Sequence, residues 1–246
     1  MLKNYSCDHF IQDLKEFDLT VSEKQIEQFI KYYELLTEWN SFMNLTAITE
    51  FDEVIKKHFV DSVSLVRAIS DIKEKEYTLI DVGTGAGFPG IPLKIMFPNL
   101  NVVLLDSLNK RVSFLNEVIE KLELTDIKAF HGRAEDFAKK KEFRECFDYC
   151  VSRAVANLAT LSEYCLPFVK TEGCFISYKS EKITEEYESA KEAIKILGGK
   201  YLNQVEFYLP NSDIYRNLFV IQKIKNTPGK FPRKAGLPAK EPITRK

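Results

Sequence analysis

The amino-acid sequence predicts an α/β fold: a doubly wound, mostly parallel seven-stranded sheet that ends in an antiparallel hairpin and is preceded by an all-helical segment. Three observations carry this prediction. Over the first seventy or so residues, apolar side chains recur at helical spacing. From Tyr77 onward, short apolar runs alternate with helical stretches, the signature of a parallel sheet with helices on both faces. After Gly198-Gly199, two strand-like runs follow one another with no helix between them, so they pair antiparallel. The 246 residues are 45% hydrophobic and 12% aromatic with only 10 Gly and 9 Pro. That composition supplies a large core and excludes disordered, collagen-like and low-complexity chains.

In chain order, a short helix is expected around His9 to Phe17, followed by a long one opened by a capping box of Ser22 and Gln25. Its apolar stripe is Ile26, Phe29, Ile30, Tyr33 and Leu36, ending at Trp39-Asn40. Two further helices are expected from Phe51 to His58 and from Asp61 to Ile69, with Asp61 as the cap of the second. The sheet region then reads TLIDV, a Gly/Pro loop with its helix, NVVLLD, the helix Lys110 to Leu122, IKAFH, a short helix and FDYCVS. The helix Leu158 to Leu166, the strand CFISYK and the helix Thr184 to Leu197 complete the parallel part. The hairpin is KYLNQVEFYL and YRNLFVIQKI, joined by a turn at Pro210 to Asp213. The chain therefore divides into a helical segment (1–72), a sheet core (73–225) and a basic, Pro-containing tail (226–246).

Several function classes are excluded early. The longest uncharged stretch, Val82 to Leu93, is rich in turn residues, so no membrane span is expected. MLKNYSCDHF lacks the apolar run of a secretory signal, which places the protein in the cytoplasm. Cys7, Cys146, Cys150, Cys165 and Cys174 show no C-x-x-C spacing and only three histidines accompany them, so structural thiols are expected and no metal site. The net charge of −1 hides an asymmetry: from Gln222 on, eight Lys/Arg face one acid, giving +7 there and −8 elsewhere. Such a segment either holds a polyanion or floats as a solvated tail, and charge alone favours the second.

The chemistry concentrates where the first strand runs into Asp81-Val82-Gly83-Thr84-Gly85-Ala86-Gly87-Phe88-Pro89-Gly90. Gly85-x-Gly87-x-x-Gly90 matches a dinucleotide fingerprint formally, but it starts three residues after the strand and puts Pro89 where a phosphate needs a backbone N–H. The frame Asp81-x-Gly83-x-Gly85-x-Gly87 instead sets a carboxylate at the strand tip, pointing into the site. A carboxylate there repels a pyrophosphate and attracts an ammonium, which suits a nucleoside that carries an amino acid, S-adenosylmethionine. Asp106, ending the second strand 23 residues after Gly83, is placed to accept both hydroxyls of a ribose. At the end of the third strand, Glu135 and a backbone N–H can read an adenine edge. Turn-forming and helix-capping roles are the structural alternatives for these three acids. Arg153 ends the fourth strand, the position that faces cofactor and substrate, and an arginine ion-paired with a local acid would give the same sequence, while His58 reads as a packed or capping residue and His131 lacks a nucleophile partner. The pair Lys110-Arg111 reads, on spacing alone, as a solvated helix face.

The runs DVGTGAGFPGIPL, LLDSLNKRVSFL, GRAEDF, SRAVANL and FPRKAGLPAKEPI, with WNSFMNLT and HFVDS upstream, resemble the RsmG (GidB) family of bacterial 16S ribosomal RNA guanine-N7 methyltransferases over nearly the whole chain. One departure is Lys179-Ser180, where the family pattern carries Lys-Gly. The resemblance implies a Rossmann-like class I methyltransferase fold using S-adenosylmethionine. The cofactor would be contacted by Gly83, Phe88, Ala134, Glu135 and Arg153, with Asp106 at the ribose, and the frame of the Gly loop adds Asp81, Gly85 and Gly87 to the cofactor-binding residues. It also implies that the tail returns over the cofactor site, and that Lys110, Arg111, Lys230, Arg233 and Lys234 meet RNA. The partner would be 16S ribosomal RNA, the small subunit or its assembly intermediate, and the chain a monomer. Guanine N7 carries no proton, so no general base is required; orientation suffices, with stacking from Phe88 or another ring. Two rivals are a methyltransferase acting on a small molecule or protein and a dinucleotide-dependent oxidoreductase. The basic tail argues against the first, and the lack of a proton donor beside a hydride site against the second. Having too little apolar content for a core, the tail is expected to be removable from Lys230 onward without loss of the fold.

Overall fold

The computed structural model describes residues 5–153, 156–181 and 183–244; Ala154-Val155 of the SRAVANL run and Arg245 and Lys246 of the tail lie outside them. Helix α1 (Asp8–Lys15) and helix α2 (Glu23–Asn40) form as their periodicity requires. The capping box is complete: Ser22 Oγ accepts from Gln25 N–H at 3.3 Å and Gln25 Oε1 accepts from Ser22 N–H at 2.9 Å. The two helices expected after residue 50 are instead one run. It passes from α3 (Phe51–Val54) through a π-turn at Ile55–Val60 into α4 (Asp61–Val63) and a 3-10 turn at Ser64–Arg67. Asp61 is not a cap, because its backbone is helical on both sides. The extra residue of the π-turn rotates the helix face, and such turns gather at functional sites.

The strands are β1 (Thr78–Val82), β2 (Asn101–Asp106), β3 (Ile127–His131), β4 (Phe147–Arg153), β5 (Val169–Lys179), β6 (Gly199–Tyr208) and β7 (Tyr215–Lys223). They lie in the order β3-β2-β1-β4-β5-β7-β6. The first five are parallel, whereas β7 runs antiparallel to both β5 and β6. The hairpin is thus the expected one, with its second strand inserted between β5 and the edge. Side-chain chemistry explains the insertion. Leu218, Phe219, Val220 and Ile221 are all buried and divide between the two faces, as in a strand with neighbours on both sides. In contrast, β6 alternates polar and apolar residues and its polar ones are exposed, which suits an edge.

One face of the sheet is covered by the N-terminal helices together with α5 (Gly90–Met96) and α6 (Asn109–Lys121). The other face carries α7 (Ala134–Phe137), α8 (Leu158–Cys165) and α9 (Thr184–Ile196). The helical segment shares its core with the sheet: Phe10, Phe29 and Phe59 belong to the same cluster as Leu79 and Val102. Helix α2 also reaches the Gly loop directly, because the buried Tyr32 Oη donates to Ala86 O. Gln25 Nε2 donates to Ile95 O at 2.7 Å.

The tail is no floating segment, and here the expectation from composition needs correction. Phe231 is 7% exposed within the α8/α9 core, and Pro232 and Pro238 are buried. Arg144 donates to Thr227 O at 2.7 Å and Phe231 O at 3.0 Å. Thr160 Oγ1 donates to Pro238 O at 3.1 Å at the start of α10 (Leu237–Lys240). A single aromatic ring and a set of carbonyl clamps anchor what a count of apolar residues would leave loose. All five cysteines are free thiols. Among the described residues no helix is long and apolar enough to cross a membrane, and no group of three or more His, Cys, Asp or Glu could hold a metal ion.

Candidate active site

The C-terminal edge of the parallel strands opens into a cleft of about 740 Å³. At one end lie Gly83, Thr84, Gly85, Ala86 and Asp106; at the other lie His58, Asp61, Arg153, Tyr178 and Arg216. The floor of the first end is built by β1 and its loop. Gly83, Gly85 and Gly87 all have positive φ (72°, 63° and 98°), the left-handed region in which a Cβ is strained. Beside Gly85 a Cβ would meet nothing within 4 Å, so that backbone faces open space. Gly87 is different: a Cβ there would come within 2.5 Å of Ile91 Cδ1 and 2.7 Å of Tyr32 Oη. It serves the closeness of loop and helix.

Asp106, 3% exposed, sits at the tip of β2 and lines the cleft. Its Oδ2 accepts from Gly85 N–H at 2.9 Å and its Oδ1 from Leu108 N–H at 2.9 Å, while Arg111 Nη1 approaches Oδ2 at 3.4 Å. Each carboxylate oxygen can accept more than one hydrogen bond. Asp106 therefore binds the loop and retains acceptor capacity toward the cleft.

Asp81 does not line the cleft. It is fully buried beneath the loop, where Oδ2 accepts from Thr84 Oγ1 at 2.7 Å and Gly90 N–H at 2.9 Å. Burial pushes its carboxyl up to about 6, against the pull of those two donors, and Oδ1 has no partner. The turn-forming alternative describes its contacts: it pins the loop to the first turn of α5. Glu135 and Ala134 also lie off the cleft lining. Glu135 is 2% exposed and its Oε1 accepts Gly236 N–H from the tail at 2.8 Å.

Phe88 is 6% exposed. His58 stacks on its ring (centroids 4.5 Å apart, 21° between planes), and the Arg153 guanidinium lies 5.0 Å from its centroid. It lines the cleft but offers no free ring face for a base. The His58 ring nitrogens reach Thr46 Oγ1 at 2.9 Å and Arg153 Nη2 at 3.4 Å. Burial foremost, then the Arg153 charge, lowers the imidazole to about 4, so it is neutral at ordinary pH. His131 is exposed and donates to Ser107 O at 3.2 Å.

Of the basic residues, Arg111 lines the cleft and Lys110, Lys230 and Lys234 are exposed. Arg233 is committed elsewhere: Nη2 and Nε bond Glu163 Oε2 and Oε1 at 2.7 and 2.9 Å, and Nη2 also donates to Glu241 O at 2.8 Å. Sequence reasoning missed Asp61 and Arg216 as site residues. Asp61, 2% exposed, accepts from Arg153 Nη1 and Arg216 Nε, each at 2.7 Å. Two local signals existed. Asp61 is an acid inside the apolar run Phe59-Val60-Asp61-Ser62-Val63, and Arg216 is the second residue of a strand that, being antiparallel, begins at the ligand edge.

Comparison with known proteins identifies the family and the fold. A family model described as GidB, rRNA small subunit methyltransferase G, matches residues 25–215. The chain is 58% identical over 237 residues to the ribosomal RNA small subunit methyltransferase G of Lachnoclostridium phytofermentans, covering 96% of this chain and 97% of that one. It is 50% identical over 236 residues to the protein of that name from Lactococcus lactis subsp. cremoris, covering 96% and 98%. Among solved structures, MtNAS in complex with MTA and tNA superposes with a TM-score of 0.52 at 14% identity, over 89% of this chain and 77% of that one. P. horikoshii TYW2 in complex with MeSAdo superposes with a TM-score of 0.50 at 15% identity, over 68% and 61%. At those identities the structures speak for the fold alone. The sequence matches reach further, since they run through both the N-terminal helices and the strand-edge cleft: the chain belongs to the rRNA small subunit methyltransferase G family.

Proposed function

We propose that the chain transfers a methyl group from S-adenosylmethionine to N7 of a guanine in small-subunit ribosomal RNA. The observation that carries the proposal is a cleft at the strand edge whose floor is Asp106, an acid with spare acceptors, beside the open backbone of Gly85, in a chain of this family. The donor set fits the cofactor. A ribose diol needs two acceptors close together, and a nucleoside needs backbone without side chains to lie against. Arg153, which lines the cleft, would meet the amino-acid end. When bound, the cofactor supplies an electrophilic methyl on a sulfonium.

The reaction breaks the carbon–sulfur bond, the electron pair staying on sulfur, and forms a carbon–nitrogen bond with the N7 lone pair. No proton leaves N7, so the chain's residues orient rather than deprotonate. His58, lowered to about 4 and wedged between Thr46, Phe88 and Arg153, holds the cleft wall. Asp106 fixes the loop and offers its acceptors to the ribose. In A-form RNA the N7 edge lies in a deep, narrow groove, so the substrate base enters unpaired. The RNA is the free molecule, the small subunit or its assembly intermediate, and the setting is the cytoplasm.

The test is incubation of the purified chain with methyl-labelled cofactor and small-subunit RNA or subunits. Borohydride and aniline treatment, which cuts RNA at N7-methylguanine, then follows. Label in RNA with a single scission site is expected. Label without scission would move the acceptor to another atom, and absence of label from every RNA form would remove the proposal.

A further inference from the structure

The far end of the cleft carries a net positive charge that the cofactor would leave in place, because its amino-acid end brings an ammonium along with its carboxylate. Asp61 sits between two guanidinium groups and can neutralise one of them. Its partners are themselves largely covered, Arg153 at 14% and Arg216 at 16% side-chain exposure. Lys57 and Lys179, which also line the cleft, are paired with Glu53 and Glu186. His58 is neutral, and Glu181 is exposed at the rim, where water screens it. One positive charge is left half-enclosed, and a cation in such a place calls for an anion from outside.

Strand order decides which arginine meets which ligand. A nucleoside seated on Asp106 at the end of β2, with its amino-acid arm crossing the Gly loop after β1, ends at Arg153, the last residue of β4. The backbone of Arg216 lies on β7, two strands beyond β4 and three beyond β1, about 10 and 14 Å along the sheet at the usual strand spacing, so its side chain reaches Asp61 from the side opposite the Gly loop while that of Arg153 reaches it from β4. Because β7 is antiparallel, with Asn217 paired to Lys179 at the end of β5, its opening residues lie at the same edge as the cleft. Arg216 spends Nε on Asp61 and Nη1 on Tyr215 O, at 2.7 and 2.9 Å, which fixes the fork and leaves donors over for the cleft.

We infer that Arg216 binds a backbone phosphate of the RNA substrate next to the methyl-accepting base, and that Asp61 is the positioning residue that holds Arg216 and Arg153 at their separate tasks. The inference rests on the proposed RNA substrate. An arginine suits this role because its planar fork can meet two phosphate oxygens while a third N–H keeps its anchor.

The experiment uses the full chain, cofactor titration by calorimetry, RNA binding across salt concentrations and steady-state methylation. Arg216→Gln should leave cofactor affinity within about twofold, raise KM for RNA at least tenfold, and lower the slope of log affinity against log salt by nearly one. Arg216→Lys, which keeps the charge and the Asp61 contact, should recover part of the KM but not all of it. Asp61→Asn should weaken both cofactor and RNA binding. Cofactor affinity falling in step with RNA affinity in Arg216→Gln would assign Arg216 to the carboxylate of the cofactor and overturn the inference. An unchanged KM and salt slope in a folded Arg216→Gln would reduce it to a structural partner of Asp61. A wild-type chain that methylates no small-subunit RNA would refute the RNA reading itself, a result distinguishable from both because it appears before any substitution.

Discussion

Replacing Arg233 by Ala separates two accounts of the basic tail. If Arg233 is an RNA contact, the substitution weakens RNA binding and leaves stability alone. The structure assigns it to Glu163, which is 1% exposed, through three side-chain contacts between 2.7 and 3.1 Å. Removing one partner of a buried ion pair leaves the other charge uncompensated, at about 3–5 kcal/mol. Arg233 N–H would still donate to Glu163 Oε1, and the arginine is 23% exposed, so the lower end, about 3 kcal/mol, is the fitting estimate. For a domain of this size each kcal/mol moves Tm by about 2–4 °C, so thermal unfolding should shift down by roughly 6–12 °C. The assay is circular dichroism melting of Arg233→Ala beside Lys234→Ala, whose exposed side chain should shift Tm by under about 2 °C. A double substitution, Arg233→Ala with Glu163→Gln, should be more stable than Arg233→Ala alone, since the stranded charge is gone. A Tm for Arg233→Ala equal to that of Lys234→Ala, with an equal loss of RNA affinity in both, would refute the reasoning and return Arg233 to the RNA surface.

Asp106→Ala should lower S-adenosylmethionine affinity at least tenfold by calorimetry, since it removes two charge-assisted acceptors worth about 1.5–3 kcal/mol each before solvent compensation and releases the Gly85 N–H. Asp81 titrates at about 6 when folded and near 3.8 otherwise, so its contribution to stability is full below about pH 4 and is lost as pH rises through 6. The loss is roughly 3 kcal/mol, two pH units at about 1.4 kcal/mol each, and urea midpoints of Asp81→Asn should lack that fall relative to wild type. Single-turnover methylation should be nearly flat from about pH 6.5 to 9, because His58 has finished titrating at about 4 and N7 needs no base; a tenfold rise per pH unit would point to an amine or hydroxyl acceptor. Deletion from Lys230 onward should lower Tm as well as RNA affinity, since it removes Phe231, Arg233 and the Gly236 N–H on Glu135.

What was legible in the sequence, and what was not, divides along the range of the interactions involved. The elements were legible because periodicity is local. The stripe from Ile26 to Leu36 can bury itself only as a helix, and TLIDV and NVVLLD only as strands covered on both faces. The Gly loop was legible for the same reason, since positive φ is a property of single residues. Asp106 was legible because the last residue of a parallel strand is at the ligand edge in any fold of this class.

Which neighbour each residue meets was decided only by the tertiary structure. Asp61 lies 92 residues from Arg153 and 155 from Arg216, and nothing in its local surroundings specifies two guanidinium partners. Whether a strand-tip acid points up into a cleft or down under a loop depends on the register of its pleat and on which donors the following turn leaves unpaired; for Asp81 the Gly90 N–H and the Thr84 hydroxyl drew it down. The tail looked too polar to pack, yet one ring and a buried glutamate 70 residues away hold it, because a few well-satisfied contacts outweigh average composition. The sequence by itself determined the elements, their alternation and the edge at which chemistry occurs, since each follows from backbone geometry and the burial of one face. The tertiary structure alone decided the insertion of β7, the Arg153–Asp61–Arg216 cluster and the anchoring of the tail. Those depend on pairings between distant segments, in which charge and shape must match across space rather than along the chain.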